Sequence, residues 1–303
     1  MGDCDMSIEE NWSMLDEQTH RLRPDSIQSP DGSIVIPVNA QTDLREVWRP
    51  LTDIVRYQGE RSLEILLVIN NFSPQSPPPE VDAFGKAGVT VVAVPDLLQS
   101  VGERRSTISG GLPGEDPATV TELHRAGMIM AARVFGLEQA SAEKVIFLDA
   151  DSRLLAPTAI IDWFLDQLSA GAQLAHVRVT HFDLPPGLSV RVRIALHHLA
   201  NWGKRAVFGI PTTRGGDFAV NRTLMLQLYD KGLLLDDMSV GSAVKSVGGR
   251  VAYAGNAPGL SIQTSGRTVE GGWRNTIWYF WWRLGYNKRV LTRDVSEGKS
   301  GCS

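Results

Sequence analysis

The stretch EKVIFLDADSRL, Glu143 to Leu154, sets two carboxylates, Asp149 and Asp151, directly behind a short apolar run. Val145, Ile146, Phe147 and Leu148 show no polar alternation, which is the pattern of a strand covered on both faces in a parallel sheet. The acids then fall at the carboxyl end of that strand, the edge where open α/β sheets bind ligands. Oxygen donors one residue apart suit a hard divalent cation such as Mg²⁺ or Mn²⁺, which takes one or two carboxylates and completes its shell with water and phosphate. A turn after a strand also favours Asp for its own side-chain-to-backbone bonds, so the strand in front is what gives the pair chemical meaning.

Upstream, the periods alternate. SIVIPV (Ser33 to Val38) reads as a buried strand. Thr42 or Asp43 then caps a helix in which Leu44, Val47, Trp48, Leu51, Ile54 and Val55 recur at helical spacing. LEILLVI is a second strand ending at Asn70 and Asn71; a loop with Pro74, Pro77, Pro78 and Pro79 leads to a short helix, and VTVVAV (Val89 to Val94) is a third strand. This βαβαβ order predicts an α/β fold with a mostly parallel central sheet and helices on both faces.

The remainder divides by pattern. Residues 1–30 are polar and turn-rich, an N-terminal arm or linker. Gln99 to Asp116 has no periodicity and four glycines, the pattern of a long loop that is either functional or mobile. Helical spacing resumes from Ala118 to about Gly136. Beyond the acids the order is less regular: a helix near Thr158 to Leu168, a strand from Gln173 to Val179, and a long helix from Leu188 to about Val207. RGGDFAVNR then opens a glycine turn into a strand, and LLLDDMSVGSAVKSVGG runs from two acids into a helix closed by glycines. The expected organisation is one domain over 31–265, with a nucleotide-binding half at 31–155 and an acceptor or catalytic half at 156–265. An aromatic segment, 266–303, follows.

Composition excludes several classes. Hydrophobic residues make up 43% and charged residues 21%, ordinary values for a globular chain. A net charge of -4 gives no general affinity for nucleic acid, which is driven by basic clusters releasing counterions. Cys4 and Cys302 are the only cysteines, so neither a disulfide framework nor a zinc cluster is built. The acidic start lacks a signal-peptide core, and no apolar run reaches the ~20 residues of a transmembrane helix. Cytoplasmic residence is the expectation.

In their order and spacing, these parts resemble the family 2 nucleotide-sugar glycosyltransferases of GT-A fold, over roughly Ile34 to Arg267. IVIPVNAQ is similar to the strand that this family places at the nucleotide base, FLDAD to its metal-binding Asp-x-Asp, GGDFAVNR to its donor-sugar loop, and DDMSVGSAVKSVGGRVAY to its catalytic loop and helix. The resemblance implies a Mn²⁺ or Mg²⁺ ion as Lewis acid for the leaving diphosphate, with Asp151 as direct ligand and Asp149 reaching ribose or a metal-bound water. It implies Asp237 as the base taking the acceptor proton, with Asp236 where a Glu is usual. Around the donor it implies Pro37, Asn39, Gln41, Asn70, Asn71, Arg133, Ala150, Gly215, Gly216, Asp217 and Arg267. The glycines would let backbone approach the sugar, Asp217 would meet a sugar hydroxyl, and Arg267 the pyrophosphate.

Departures shape the expectation. The second strand ends in Asn70 and Asn71 where the family has an Asp, Gln41 stands in for an acid, and Val134 follows Arg133 in place of Asn. The Gln-x-x-Arg-Trp motif of processive synthases is missing, and no histidine follows His198. The expected activity is therefore inverting, metal-dependent transfer of one sugar from a UDP-, GDP- or dTDP-sugar to a discrete small-molecule or glycan acceptor.

Two other readings stand beside it. Phosphatases of the haloacid dehalogenase type also carry Asp-x-Asp after a strand, but theirs ends the first strand, and here three precede. A non-catalytic nucleotide-sugar-binding module is motivated by the lost acids. His197 and His198 are about 100° apart on their helix and read as structural. Arg191 and Arg193 read as a solvated face, with an acidic acceptor as the sharper alternative. WRNTIWYFWWRLGY holds Trp273, Trp278, Trp281 and Trp282; core packing, a homodimer contact, an acceptor lid or a membrane-surface foot would each cover it.

Overall fold

The structure is a computed structural model that describes residues 8–23, 29–97, 130–184, 187–208, 216–231, 233–234, 237 and 240–266. Its centre is a seven-stranded sheet in the order β3-β2-β1-β4-β8-β6-β9. These are β1 (Gly32–Asn39), β2 (Leu63–Asn70), β3 (Thr90–Val94), β4 (Lys144–Phe147), β6 (Leu174–His176), β8 (Phe218–Asn221) and β9 (Val251–Tyr253). β3, β2, β1 and β4 run parallel, β8 runs antiparallel to both β4 and β6, and β9 is parallel to β6. The expected α/β class, with a mostly parallel sheet flanked by helices, is what the chain adopts.

The alternation of side chains along β1 and β2 feeds two separate cores. Ile34, Ile36, Val38, Ile65, Leu67 and Ile69 point to one face, against α2 (Trp48–Ile54), α3 (Pro79–Lys86) and α5 (Pro157–Ser169). Val35, Leu66 and Val68 point to the other, against a helix over 130–139 (α4), α7 (Arg222–Asp230) and α8 (Val240–Ser246). Both strands are therefore apolar throughout, the signature of a doubly covered parallel sheet.

Pro37 is tolerated within β1 because β4 ends before it. In a strand, the N–H and C=O of one residue point to the same side, and Val35 O accepts from Leu148 N at 3.1 Å, so residues 35 and 37 both face β4. β4 departs after that bond, which leaves the missing N–H of Pro37 costing no ladder bond. β1 continues alone to Asn39, still paired with Asn70 of β2. The chain runs from β1 to β2 on one side, and after β3 it returns to β4 on the other side of β1, so the strand order reverses here, at the kind of switch point where such sheets bind ligands.

Three expectations change in detail. The helix predicted from Thr42 or Asp43 begins at Trp48, because Pro50 lacks an N–H and would clash inside a longer helix. In the first turn it is tolerated, and residues 40–47 form turns instead. The single strand predicted over 173–179 is two strands in different sheets: β6 stays central, and β7 (Arg178–His181) joins β5 (Arg153–Leu154) and β10 (Ser261–Thr264) in the order β5-β10-β7.

The third concerns the polar N-terminal region, which contains α1 (Ile8–Leu22). Leu15 and Leu22 are buried, and Trp12 meets Trp48 edge-on at 4.7 Å and Phe84 at 4.8 Å. Thr19 Oγ1 donates to Ala87 O at 2.6 Å. Arg23 pairs with Glu64, a buried carboxylate that also accepts from Ser33 Oγ at 2.8 Å and Ser141 N at 2.8 Å. The region is thus docked on the domain at several points.

The Gln99 to Asp116 loop, most of the Ala118 to Gly136 helix and the aromatic segment lie outside the described residues, apart from residues 130–136 and 266.

Candidate functional site

Asp149 and Asp151 leave the tip of β4 in a turn closed by Ser152 N donating to Asp149 O at 3.0 Å. The turn is held from the strand beside it. Asp217, the residue before β8, is fully buried, and its Oδ1 accepts from Asp149 N at 3.1 Å and Ser152 Oγ at 2.5 Å. That placement leaves Asp217 no surface for a sugar hydroxyl; it positions the acidic turn instead. Burial raises its pKa well above the usual carboxylate range, and the nearby charges of Asp149 and Asp151 add to the rise.

Arg133 enters from α4 with its side chain only 1% exposed. Its Nη2 lies 2.5 Å from Asp149 Oδ1 and 3.9 Å from Asp237 Oδ2. One guanidinium thereby joins the acid after β4 to the acid that precedes α8, although the two lie 88 positions apart in the chain. Nε and Nη1 of Arg133 and Oδ2 of Asp217 are buried with no partner among the described residues. Asp149 Oδ2 also accepts from Gly216 N at 3.1 Å. Desolvation pushes the Asp149 pKa up, Arg133 opposes that, and Asp237 and Asp151 add to it.

Gly216 is required by space. A Cβ there would lie 1.8 Å from Arg133 Nη2 and 1.9 Å from Asp149 Oδ1, inside the ion pair itself. The close approach expected of this glycine is therefore made to the pair that orients Asp149.

Asp151 is reached from the smaller sheet, where Thr264 Oγ1 of β10 donates to its Oδ1 at 2.9 Å. Behind the turn, the buried Asp53 of α2 accepts from Leu154 N at 2.8 Å and Arg153 Nε at 3.0 Å, which anchors the start of β5. Ser152, Thr264, Asp53 and Arg153 were not candidates in the sequence. Thr264 stands 113 residues from its partner and leaves no local sign. Asp53 does leave one, an acid between Leu51 and Ile54 on an apolar helix face.

The other candidates divide by location. Asn39 and Asn70 end adjacent strands, and Ala40 N donates to Asn70 O at 2.8 Å. Asn39 Oδ1 accepts from Gln41 N at 3.0 Å. Asn71 has φ 61°, a left-handed conformation that Asn tolerates better than most side chains. Gln41 is exposed, Pro37 is half-buried, and Ala150 is buried within the turn. Asp236, Gly215 and Arg267 lie outside the described residues.

Among the described residues no group of three or more His, Cys, Asp or Glu side chains forms a ready metal cage. Asp149 nevertheless has the carboxylates of Asp151, Asp217 and Asp237 close by, and one guanidinium, Arg133, between it and Asp237. This excess of negative charge fits a Mg²⁺ or Mn²⁺ ion bound by one or two carboxylates and completed by phosphate oxygens and water.

Solved structures similar to the chain include two of S. aureus TarS residues 1-349: one alone, with a TM-score of 0.45, and one in complex with UDP, with a TM-score of 0.47. Each is 12% identical and covers 88% of this chain and 68% of its own. No protein-family model matches the chain, and no curated protein does.

Proposed function

We propose that the chain is a GT-A glycosyltransferase that moves one sugar, with inversion, from a nucleoside-diphosphate donor to a discrete acceptor hydroxyl in the cytoplasm. The observation that carries this reading is Arg133 bridging Asp149 and Asp237, with Asp151 beside Asp149 at the tip of β4.

In this scheme the base and ribose lie across Pro37 and the side-chain amides of Asn39, Gln41, Asn70 and Asn71, which both donate and accept. Asp151 is the direct metal ligand, with Asp149 held beside it by Arg133 and the Gly216 N–H. A bound Mn²⁺ or Mg²⁺ supplies Lewis-acid stabilisation of the charge that develops on the departing diphosphate. Arg267 contacts the pyrophosphate. Asp237 takes the proton of the acceptor hydroxyl as its oxygen bonds to the anomeric carbon and the bond to the diphosphate oxygen breaks.

Calorimetric titration with UDP, GDP and dTDP, with and without Mn²⁺, tests the scheme. Binding of one nucleotide should require the ion and disappear in Asp151→Ala, while Asp237→Asn should bind normally and lose sugar transfer. Equal affinity in wild type and Asp151→Ala would refute the metal assignment. Phosphate release from simple phosphoesters would favour the phosphatase reading.

A further inference from the structure

Outside the acidic site, five of the eight exposed large hydrophobic residues among the described residues lie on α6 (Leu188–Phe208), a helix of 21 residues. Leu188, Val192, Leu196, Leu199 and Trp202 recur at intervals of four, four, three and three, which places them along one stripe. Each is between 41% and 80% exposed. Single exposed apolar residues are ordinary, but a continuous stripe of this length marks an interaction surface.

Charge identifies what covers it. The helix contains Arg191, Arg193, Lys204 and Arg205 and neither Asp nor Glu. Residues 267–303 hold seven Lys or Arg against three Asp or Glu, together with four of the eight tryptophans. The rest of the chain is left with nineteen basic and thirty-one acidic residues. Basic charge is thus gathered in two segments, and one of them, α6, also carries the exposed apolar stripe.

Those segments start side by side. Gly266 N donates to Asp183 Oδ1 at 2.5 Å and Ser265 Oγ to Asp183 Oδ2 at 2.5 Å, so the aromatic segment departs five residues of chain from the first turn of α6. Two cationic segments repel as mutual partners, and an acidic peptide would leave the apolar stripe in water. An anionic bilayer surface satisfies both features: the apolar side chains enter the headgroup boundary while the exposed Arg191 beside them meets lipid phosphates. Among the described residues no helix is long and apolar enough to cross a membrane.

We infer that α6 is a membrane-surface helix that seats this protein on anionic lipid through Leu188, Val192, Leu196, Leu199 and Trp202. The inference is independent of the proposed sugar transfer.

Flotation of the full-length protein with phosphatidylcholine vesicles, with and without 30 mol% phosphatidylglycerol, tests it. Wild type should float with the anionic vesicles, and raised salt should weaken the association. Leu199→Glu combined with Trp202→Glu changes only exposed positions and should bind at least about tenfold more weakly with an unchanged thermal melt. Arg191→Gln should lose about fivefold on anionic vesicles and nothing on neutral ones. Equal flotation of the double variant and wild type would overturn the inference. So would a wild-type dimer that ignores vesicles and becomes monomeric in the double variant, since a second copy would then be the partner.

Discussion

Replacing Gly216 with alanine tests how tightly the acidic site is built. The added Cβ would sit 1.8 Å from Arg133 Nη2 and 1.9 Å from Asp149 Oδ1, and 2.6 Å from Asp149 Cγ. Carbon normally keeps well beyond 3 Å from such atoms, so both ends of the ion pair must withdraw by over an ångström. Arg133 has little room, because its side chain is 1% exposed. Overpacking of this kind costs roughly 1–3 kcal/mol. Loss of the charge-assisted bond to Asp149 adds about 1 kcal/mol, the low end of its range because the Asp149 side chain is one-third exposed. A total near 3 kcal/mol lowers Tm by about 6–12 °C in a domain of this size. The same displacement should weaken Mn²⁺-dependent nucleotide binding. Gly203→Ala is the control, since nothing lies within 4 Å of its added Cβ and a helical Gly→Ala exchange gains about 0.5–1 kcal/mol. Differential scanning calorimetry and nucleotide titration read both effects. If Gly216→Ala melts within about 1 °C of wild type and binds nucleotide equally well, the ion pair is not the close-packed centre described here.

Other consequences are open to measurement. Glu64→Ala strips Ser33 Oγ, Ser141 N and Arg23 of their shared acceptor and should lower urea-unfolding stability by about 2–4 kcal/mol; Glu64→Gln should recover part of that, and equal stability in the two variants would count against the network. Burial holds the pKa of Asp53 above the usual carboxylate range despite its bonds to Leu154 N and Arg153. A raised acid pKa stabilises the fold below the unfolded-state value of about 3.9 and loses that contribution as pH rises through the folded value. Asp53→Asn, which cannot ionise, should therefore gain on wild type between pH 3.5 and 7 in paired urea titrations, and a difference that stays flat would contradict the desolvation cause. Asp217→Ala should free the acidic turn, reducing metal-dependent nucleotide affinity more than it reduces thermal stability; the reverse ranking would argue for a purely structural role.

Much of the architecture was legible because it rests on local periodicity. The unbroken apolar runs of β1, β2 and β4 announce strands covered on both sides, and the acids behind Leu148 mark the ligand edge. Contacts made across the sheet left less trace. The partnership of Asp217 with Asp149 N spans 68 residues, and RGGDFAVNR reads equally as an exposed loop or a buried brace. In α1 a signal was present: Trp12, Leu15, Thr19 and Leu22 are three, seven and ten residues along one helical face. Its polar neighbours and the turn residues after it masked that stripe. The late start of α2 was also readable in Pro50, whose ring forbids the turn before it from being an interior one.

The docking of α1 has a practical side for anyone handling this protein. Composition suggests that the first thirty residues are dispensable, and a shortened chain starting near Asp31 would look tidy on paper. Such a chain would bare Phe84 and the edge of Trp48, leave the Ala87 carbonyl without its threonine, and strand the Glu64 carboxylate at the foot of the sheet. Clumping during purification is the expected result, while the intact chain should stay dispersed under the same conditions.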